Sequence, residues 1–291
     1  MYLVIGHESD PLSQRVATAL RGHGHEVALT PEPLSAAGTF TWALETHSSE
    51  SQIRGLSGRG LPGAEIEGVL VRALGGPLTH DGWSPEDFAY VQAEVHALLL
   101  AWLWSLPCRV VNRMSADLWF RPQRAYPEWH PLLVRSGLPV LATQITNDLA
   151  AARAFSAALG GAMTYAPLTS AARYPVAEDH DWEELGKVMA VVPVCLAEPC
   201  MDASRYACLV GNEVVWDGRA DPGGAEQDVF ADGLRRLAAM LRLDVVQIEI
   251  RLGQRGLRCT GVDLYPHIAS YGGQRQEALV AGVVAVLEGE S

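Results

Sequence analysis

Lysine is almost absent from this sequence. Lys187 is the only lysine among the 22 basic residues, and all the others are arginine. Arginine keeps its proton at physiological pH, whereas a buried lysine can lose its proton and act as a base or nucleophile. Any reaction that needs a deprotonated amine or a Schiff base must therefore use Lys187.

Positive charge as a whole is also scarce. The chain carries 34 acidic and 22 basic residues, which gives a formal net charge of -12 at pH 7. A protein that binds a phosphate backbone needs a concentrated basic surface. The balance therefore predicts no nucleic-acid partner.

Long apolar runs and paired cysteines are missing as well. The longest apolar run, at about residues 97–106, is too short for a membrane span, which needs about 20 residues. Residues 1–5 contain no basic residue, and charged residues follow within a few positions, so this stretch predicts a first strand and not a signal peptide. The five cysteines lack metal-site or disulfide spacing and predict reduced thiols in a cytoplasmic protein.

Two common catalytic motifs are absent. The sequence contains neither a Gly-x-Ser-x-Gly elbow nor a phosphate loop ending in Gly-Lys-Ser/Thr. The usual hydrolase and P-loop classes are therefore poorly supported. With 291 residues, 48% of them hydrophobic, the chain is long enough for a large core and for two domains or one elaborated domain.

The first hundred residues alternate strand and helix patterns. Strands are predicted at 2–6, 26–30 and 69–74, and helices at 11–22 and 85–105. This order predicts a mostly parallel sheet covered by helices. The polar, glycine-rich stretch 48–63 predicts a loop.

The rest of the chain predicts a longer series of elements. Strands are predicted at 109–113, 140–146, 162–165, 194–198, 206–210 and 213–216, with a hairpin formed by 245–252 and 257–264. Helices are predicted at 127–136, 181–190, 225–241 and from about 274, with another capped by Asn147 and reaching 159.

Several segments of this second part, in this order, resemble RimK-type ATP-grasp enzymes, relatives of glutathione synthetase. The matching segments are Val-Val-Asn-Arg at 110–113, Tyr-Pro at 126–127, Gly-Leu-Pro-Val-Leu-Ala-Thr-Gln-Ile-Thr-Asn-Asp at 137–148, Met-Thr-Tyr-Ala-Pro-Leu at 163–168, Val-Cys-Leu-Ala-Glu at 194–198, Arg-Tyr-Ala-Cys-Leu-Val-Gly at 205–211 and Asp-Leu-Tyr-Pro at 263–266. No single segment is decisive, but their order and spacing cover most of the chain.

The resemblance implies an α/β fold in two parts. An N-terminal pre-ATP-grasp βαβ domain would occupy residues 1–108. A reduced, two-lobed ATP-grasp domain would occupy 109–291, with a shortened central lobe at about 160–200. Such enzymes join a carboxylate to an amine through an acyl-phosphate made from ATP, and they need cations for phosphate and acids for magnesium.

The departures from the family pattern fall on those groups. Tyr126 and Ala166 stand where lysines that contact the nucleotide are expected. Glu198 and Arg205 match the family's nucleotide-site pattern. Asp263 is the one candidate metal ligand, because Gly261 occupies the place of the expected glutamate. No catalytic residue is assigned.

The segment that should cover the phosphates is also short of glycine. Between Pro167 and Pro193 it has one glycine, Gly186. Replacement of the lost lysines by nearby arginines is left open, the candidates being Arg121, Arg124 and Arg173.

These features favour a catalytically degenerate ATP-grasp-like protein. It would act as a binding or partner subunit in peptide or small-molecule modification, with a peptide, a small molecule or a partner enzyme as its partner. The alternative is an active ATP-dependent carboxylate-amine ligase with a rebuilt phosphate site, which uses arginines for phosphate and has Glu198, Asp263 and Asp244 near the metal. ATP and magnesium are cofactors only under this alternative. A third interpretation is an unrelated α/β binding protein.

A homodimer through the tryptophan-rich helix is left open. The candidate contacts are Trp102, Trp104 and the leucines of the helix at 85–105, although a buried core helix explains them as well.

Overall fold

The fold was analysed in a computed structural model. It describes residues 1–31, 33–34, 39–46, 48–54, 60–72, 82–113, 115–120, 124–168, 172–200, 203–218 and 223–290.

The N-terminal part forms a parallel four-stranded sheet. Its strands are β1 (Tyr2–Ile5), β2 (Val27–Thr30), β6 (Gly68–Val71) and β7 (Arg109–Val111), in the order β2-β1-β6-β7. All of β1 and β6 is buried, as the continuous apolar sequence requires when helices cover both faces. The parallel sheet predicted for this part of the chain is confirmed.

Two helices of this part begin where the sequence predicts. In α1 (Pro11–Gly22) the Asp10 side chain accepts a hydrogen bond from Ser13 N–H, and in α2 (Pro85–Ser105) Ser84 caps Asp87 N–H in the same way. Each helix also has proline in its first turn, where the missing N–H has no intrahelical partner to lose.

The predicted loop at 48–63 is wrong. A small antiparallel sheet is formed by β3 (Thr39–Leu44), β4 (Ser49–Arg54) and β5 (Gly60–Pro62), followed by a short 3-10 helix at Gly63–Glu65. Only Ile53 and Leu61 provide buried apolar side chains in β4 and β5, and both join the core under α2. A strand that exposes most of its side chains has too weak an apolar alternation to be recognised from sequence.

The tryptophans of α2 have different environments. Trp102 is fully buried, and its indole N–H donates to Ser51 Oγ at 2.9 Å. Trp104 is 46% exposed, and the Arg113 guanidinium lies 5.8 Å from its ring centre. Of these two tryptophans, only Trp104 lies at the surface, where it could contact a second copy of the chain.

The middle of the chain forms an antiparallel sheet, which we call the central sheet. Two helices precede it, α3 (Ala116–Phe120) and α4 (Tyr126–Ser136). Its strands are β8 (Thr143–Thr146), β9 (Met163–Ala166), β10 (Tyr174–Val176) and β11 (Val194–Ala197), in the order β10-β9-β11-β8. Strand β10 was not predicted.

Helices α5 (Leu149–Ala158) and α6 (Asp179–Met189) cover one face of the central sheet, and their side chains form a separate core with it. The N-cap of α5 is Asp148, which accepts from Ala150 N–H at 2.8 Å, and not the predicted Asn147. The error is one residue, because both residue types are favourable caps.

The last part of the chain forms a second antiparallel sheet, which we call the C-terminal sheet. Its strands are β12 (Arg205–Val210), β13 (Glu213–Trp216), β14 (Val245–Gly253) and β15 (Gly256–Asp263), in the order β13-β12-β14-β15. Helix α7 (Ala225–Leu241), a 3-10 turn at Ile268–Ser270 and α8 (Gly273–Glu288) complete the fold. The predicted hairpin is confirmed as β14 and β15.

Two shared cores join the N-terminal and C-terminal sheets. One contains side chains of α2, α4, α7 and one face of the C-terminal sheet, and the other contains side chains of α1, α8 and the opposite face. The division at residue 108 stays a prediction. No helix in the described part of the chain is both long and apolar enough for a membrane span.

Candidate functional site

The central sheet and the C-terminal sheet are joined at two backbone contacts. Val140, just before β8, pairs with Cys259 of β15, and Cys200, just after β11, pairs with Gly253 of β14. The chain therefore enters and leaves the central sheet beside the same hairpin. The face of the central sheet that α5 and α6 leave uncovered lies next to this junction.

That uncovered face is defined by strand register. In β11, Leu196 and Val194 belong to the core under α5 and α6, so Cys195 and Ala197 point the other way. Ala166 is directly opposite Cys195 in the register, and therefore shares its face. The position that carries Ala166 presents only a methyl group to this space.

Tyr126 lies at the start of α4 and reaches into the junction. Its hydroxyl accepts a hydrogen bond from Leu141 N–H at 3.1 Å and donates one to Cys259 C=O at 3.2 Å. The guanidinium carbon of Arg173 lies 5.1 Å from the centre of its ring. Burial raises the pKa of the Tyr126 phenol, so the group is neutral at physiological pH.

We expect Tyr126→Phe to destabilise the fold by about 1–2 kcal/mol, because a partly buried N–H and C=O lose their partner. Urea unfolding measures this loss. The matched control is Tyr165→Phe, whose hydroxyl makes no hydrogen bond within the described residues and whose ring stacks on Tyr174. The control should change stability by less than about 0.5 kcal/mol; equal effects of the two substitutions would show that the Tyr126 hydroxyl contributes nothing.

Charged side chains from both sheets meet in this space, which we call the central cleft and define by Tyr126, Arg173, Cys195, Cys200 and Arg251. Burial raises the pKa of the Cys195 thiol, and the nearby Arg173 guanidinium opposes that rise. Burial likewise raises the pKa of Cys200, opposed by Arg173 and Arg251. The cleft therefore holds two guanidinium groups and no lysine.

Glu249 of β14 is the acid of this region that the sequence analysis missed. Its Oε1 accepts from Ser204 Oγ at 2.6 Å and from Arg251 Nη2 at 2.8 Å, and its Oε2 accepts from Thr260 Oγ1 at 3.0 Å. The carboxylate is therefore held by internal donors. The missed signal was a period-two alternation in 247–252, where Gln, Glu and Arg alternate with Ile, Ile and Leu.

The free energy of unfolding at acidic pH should depend on these hydrogen bonds to Glu249. Burial raises the pKa of Glu249, but the hydrogen bonds from Ser204, Arg251 and Thr260 outweigh it and leave the pKa below its usual value. A lowered folded-state pKa adds stability above the unfolded value of about 4.3, and that stability is lost as pH falls through the folded value.

We therefore expect Glu249→Gln to cost on the order of 1 kcal/mol at neutral pH, with the difference from the unsubstituted chain shrinking as pH falls through the lowered folded-state pKa of Glu249. Urea titrations between pH 2 and pH 7 measure the difference. A gap that stays constant down to the lowest pH would contradict the assignment.

Asp263, the candidate metal ligand, lies on the same sheet face. It pairs with Gln247, while Gly261 pairs with Glu249. Burial raises the pKa of Asp263, and its Oδ1 accepts from Tyr265 N–H at 2.8 Å. Among the residues that the structure describes, no group of three or more acidic, histidine or cysteine side chains has the arrangement of a metal site.

Glu198, a candidate for the nucleotide site, lies elsewhere. Its side chain is 1% exposed, and its Oε1 is 3.3 Å from Arg258 Nε. A Cβ placed on Gly253 would lie 2.8 Å from that oxygen, so Glu198 packs against the far end of β14. Asp263 pairs with Gln247, which lies six residues before Gly253 on β14. The carboxylates of Glu198 and Asp263 are therefore roughly 20 Å apart.

Arg205 and Asp263 lie on opposite faces of the C-terminal sheet. It pairs with Ile250, whose side chain is in the core under α7, whereas Glu249 and Asp263 take the opposite face. Asp244 also lies apart, because its carboxylate accepts from Arg109 and from Asn112 N–H at the other end of β14.

The three arginines considered as replacements have separate positions. Arg173 lies in the central cleft. Arg124 donates to Asp117, and its guanidinium carbon lies 5.4 Å from the Trp129 ring centre. Arg121 falls outside the described residues. Of the predicted site residues, the structure therefore brings Tyr126 and Ala166 together, and it adds Arg173, Arg251 and Glu249 to them.

The fold matches solved structures over nearly their whole length. The macrocyclase MdnC of Microcystis aeruginosa MRC, solved with its precursor peptide MdnA, has a TM-score of 0.76 at 12% identity and covers 100% of this chain and 99% of its own. The ATP-grasp ligase PsnB, solved with minimal precursor, Mg and ADP, has a TM-score of 0.72 at 21% identity, with 98% and 97% covered.

The chain has the ATP-grasp fold. A third structure, a RimK domain ATP-grasp protein of Sphaerobacter thermophilus DSM 20745, has a TM-score of 0.56 at 17% identity and covers 100% of this chain and 99% of its own. Neither a family model nor a curated protein matches the chain. The ATP-grasp resemblance inferred from the segments between 110 and 266 is therefore confirmed at the level of the fold.

Proposed function

We propose that this chain is an ATP-grasp-fold protein without ligase activity that binds a peptide as a cytoplasmic partner subunit in a modification pathway. The observation that carries the proposal is the Tyr126 hydroxyl, bonded on both sides to the backbone of Leu141 and Cys259. A neutral phenol engaged in this way offers no charge to a phosphate. Ala166, the other position assigned to a nucleotide lysine, offers no polar group at all.

The acidic side of the cleft supports the same proposal. Magnesium prefers several oxygen ligands, usually carboxylates combined with substrate phosphates. Here Glu249 is engaged by Ser204, Arg251 and Thr260, and Gly261 opposite it has no side chain. These residues do not fit magnesium-bound ATP, and no catalytic step is assigned to them.

The peptide is proposed as the partner because MdnC and PsnB were both solved with precursor peptides. An active enzyme acting on the same peptide would then be a second partner. The five cysteines are all free thiols, which supports a reducing compartment. The homodimer through α2 stays a prediction.

A peptide screen combined with an ADP assay tests this function. The full chain is screened against a phage-displayed random peptide library, and the selected peptides are then added with ATP and magnesium. We expect selected peptides to bind while ADP release stays at the level without protein. Peptide-stimulated ADP release would refute the absence of ligase activity, and failure to select any peptide would refute the peptide partner.

A second candidate function is an active carboxylate-amine ligase with arginines in place of the lysines. Arg173 and Arg251 favour it, because both guanidinium groups lie in the central cleft and both lower the pKa of Cys200 against the effect of burial. Guanidinium groups bind phosphate well. On this alternative, Arg173→Ala and Arg251→Ala should each weaken ADP binding at least tenfold, whereas Arg235→Ala on α7 should not.

A further inference from the structure

A cavity of about 400 Å³ lies outside the central cleft, behind the junction of the two sheets. It is bounded by α4, the start of β8, α5 and the turn between β14 and β15. That turn is fixed to α5, because Gln254 Nε2 donates to Leu159 C=O at 2.9 Å. The volume is within the range of small-molecule sites.

Glu198 lines this cavity with an unsatisfied carboxylate. Side chains alternate between the two faces of a strand. Leu196 points into the core under α5 and α6, so the side chain of Glu198, two residues later, lies on that same face and opposite to Ala197. Both of its oxygens are buried, and neither has a hydrogen-bond partner. A buried carboxylate without donors is costly, which makes this group a strong acceptor for any donor that enters.

Arg258 does not satisfy that carboxylate. Its Nε lies 3.3 Å from Oε1, but its Nη1 and Nη2 donate to the carbonyl groups of Leu257 and Arg255 at 2.9 and 2.8 Å. The guanidinium therefore balances the charge of Glu198 from one side. The Oε2 atom keeps its full capacity for a ligand.

The remaining lining supplies a second charge and an apolar wall. Arg255 lies in the exposed turn, and its guanidinium has no hydrogen bond or ion pair with any residue that the structure describes. Val140, Leu141 and Phe155 form the apolar part of the lining. An anionic site, a cationic site and an apolar surface thus border one cavity.

We propose that this cavity binds a free α-amino acid with an apolar side chain. The ligand's ammonium group donates to Glu198, its carboxylate accepts from Arg255, and its side chain packs against Val140, Leu141 and Phe155. A zwitterion places its ammonium group against Glu198 and its carboxylate against Arg255. The net charge of the site then does not change on binding. A ligand with only an ammonium group would leave Arg255 without a partner.

Isothermal titration of the full chain with three related probes tests the proposal. The probes are L-phenylalanine, N-acetyl-L-phenylalanine, which has no ammonium group, and L-phenylalanine amide, which has no carboxylate. We expect L-phenylalanine to bind, and each derivative to bind at least about tenfold more weakly, since each loses one charge-assisted hydrogen bond. Equal binding of the amide would overturn the proposal in favour of a peptide N-terminus, and equal binding of the N-acetyl form would overturn it altogether.

Variants locate the site independently of the probes. Glu198→Gln keeps the shape of the side chain, and Arg255→Ala changes an exposed position, so both should keep the circular dichroism spectrum of the unsubstituted chain. Each should weaken L-phenylalanine binding at least about tenfold, while Arg235→Ala, on the surface of α7, should leave it unchanged. Unchanged affinity in Glu198→Gln, or no binding of L-phenylalanine at its solubility limit, would contradict the proposal.

Discussion

Arg258→Met is expected to destabilise the chain by about 4 kcal/mol at pH 7. The substitution leaves the Glu198 carboxylate buried without any cation, since Arg258 Nε is the one positive group within 4 Å of it among the described residues. Removing one partner of a buried ion pair typically costs about 3–5 kcal/mol, because the remaining charge stays buried without compensation. Urea unfolding measures the loss.

The double variant Glu198→Gln/Arg258→Met is the control for this effect. It removes the charge together with its partner, so most of the lost stability should return. A double variant as unstable as the single one would show that Arg258 acts through packing and not through charge.

Asn112→Ala is expected to destabilise the fold by about 3–5 kcal/mol. Asn112 is 3% exposed, its Nδ2 donates to Val245 C=O at 2.7 Å, and its Oδ1 accepts from Val245 N–H at 2.8 Å and Asp244 N–H at 3.0 Å. These bonds join the end of β7 to the start of β14. Alanine would leave buried backbone groups unpaired, and it would also occupy the left-handed backbone region.

Asn112→Gly separates these two causes. Its backbone angle φ is 55°, a conformation that glycine adopts without steric cost. The glycine variant should therefore lose the hydrogen bonds but be more stable than the alanine variant by about 1 kcal/mol. Thermal or urea unfolding of both variants measures the difference; a loss of less than 1 kcal/mol in Asn112→Ala would contradict the role of this network.

Elements with strong local patterns could be predicted from the sequence. Asp10 and Ser84 cap α1 and α2 as expected, and the hairpin of β14 and β15 follows from two apolar runs separated by a short turn. The strands β3, β4 and β5 could not be predicted in the same way. Their stability depends on Ile53 and Leu61 reaching a core formed by distant residues.

The candidate site was predictable only as a set of positions. The family resemblance predicted Tyr126 and Ala166 as positions of missing cations, and the structure puts both beside the junction of the two sheets. The sequence did not identify the side-chain contacts that fill the central cleft beside this junction. Arg173 and Arg251 approach it from strands or loops far apart in the chain, and such pairings depend on the tertiary arrangement.

Glu198 illustrates the same limit. The family resemblance predicted a role with the nucleotide for Glu198, which stays a prediction, and the structure shows its side chain lining the cavity behind the junction. The direction of a single side chain at the end of a strand depends on where the strand stops. Sequence alone leaves that uncertain by one or two residues, enough to reverse the face.

Isothermal titration of the full chain with ATP and magnesium tests the central claim most directly. If Tyr126 and Ala166 occupy the predicted lysine positions, no binding heat should appear at millimolar nucleotide, because neither residue offers a positive charge and Glu249 is held by its own neighbours. The double substitution Tyr126→Lys/Ala166→Lys provides a comparison in which both predicted positions carry a cation. Micromolar binding by the unsubstituted chain, accompanied by ADP release when peptide is added, would contradict the account.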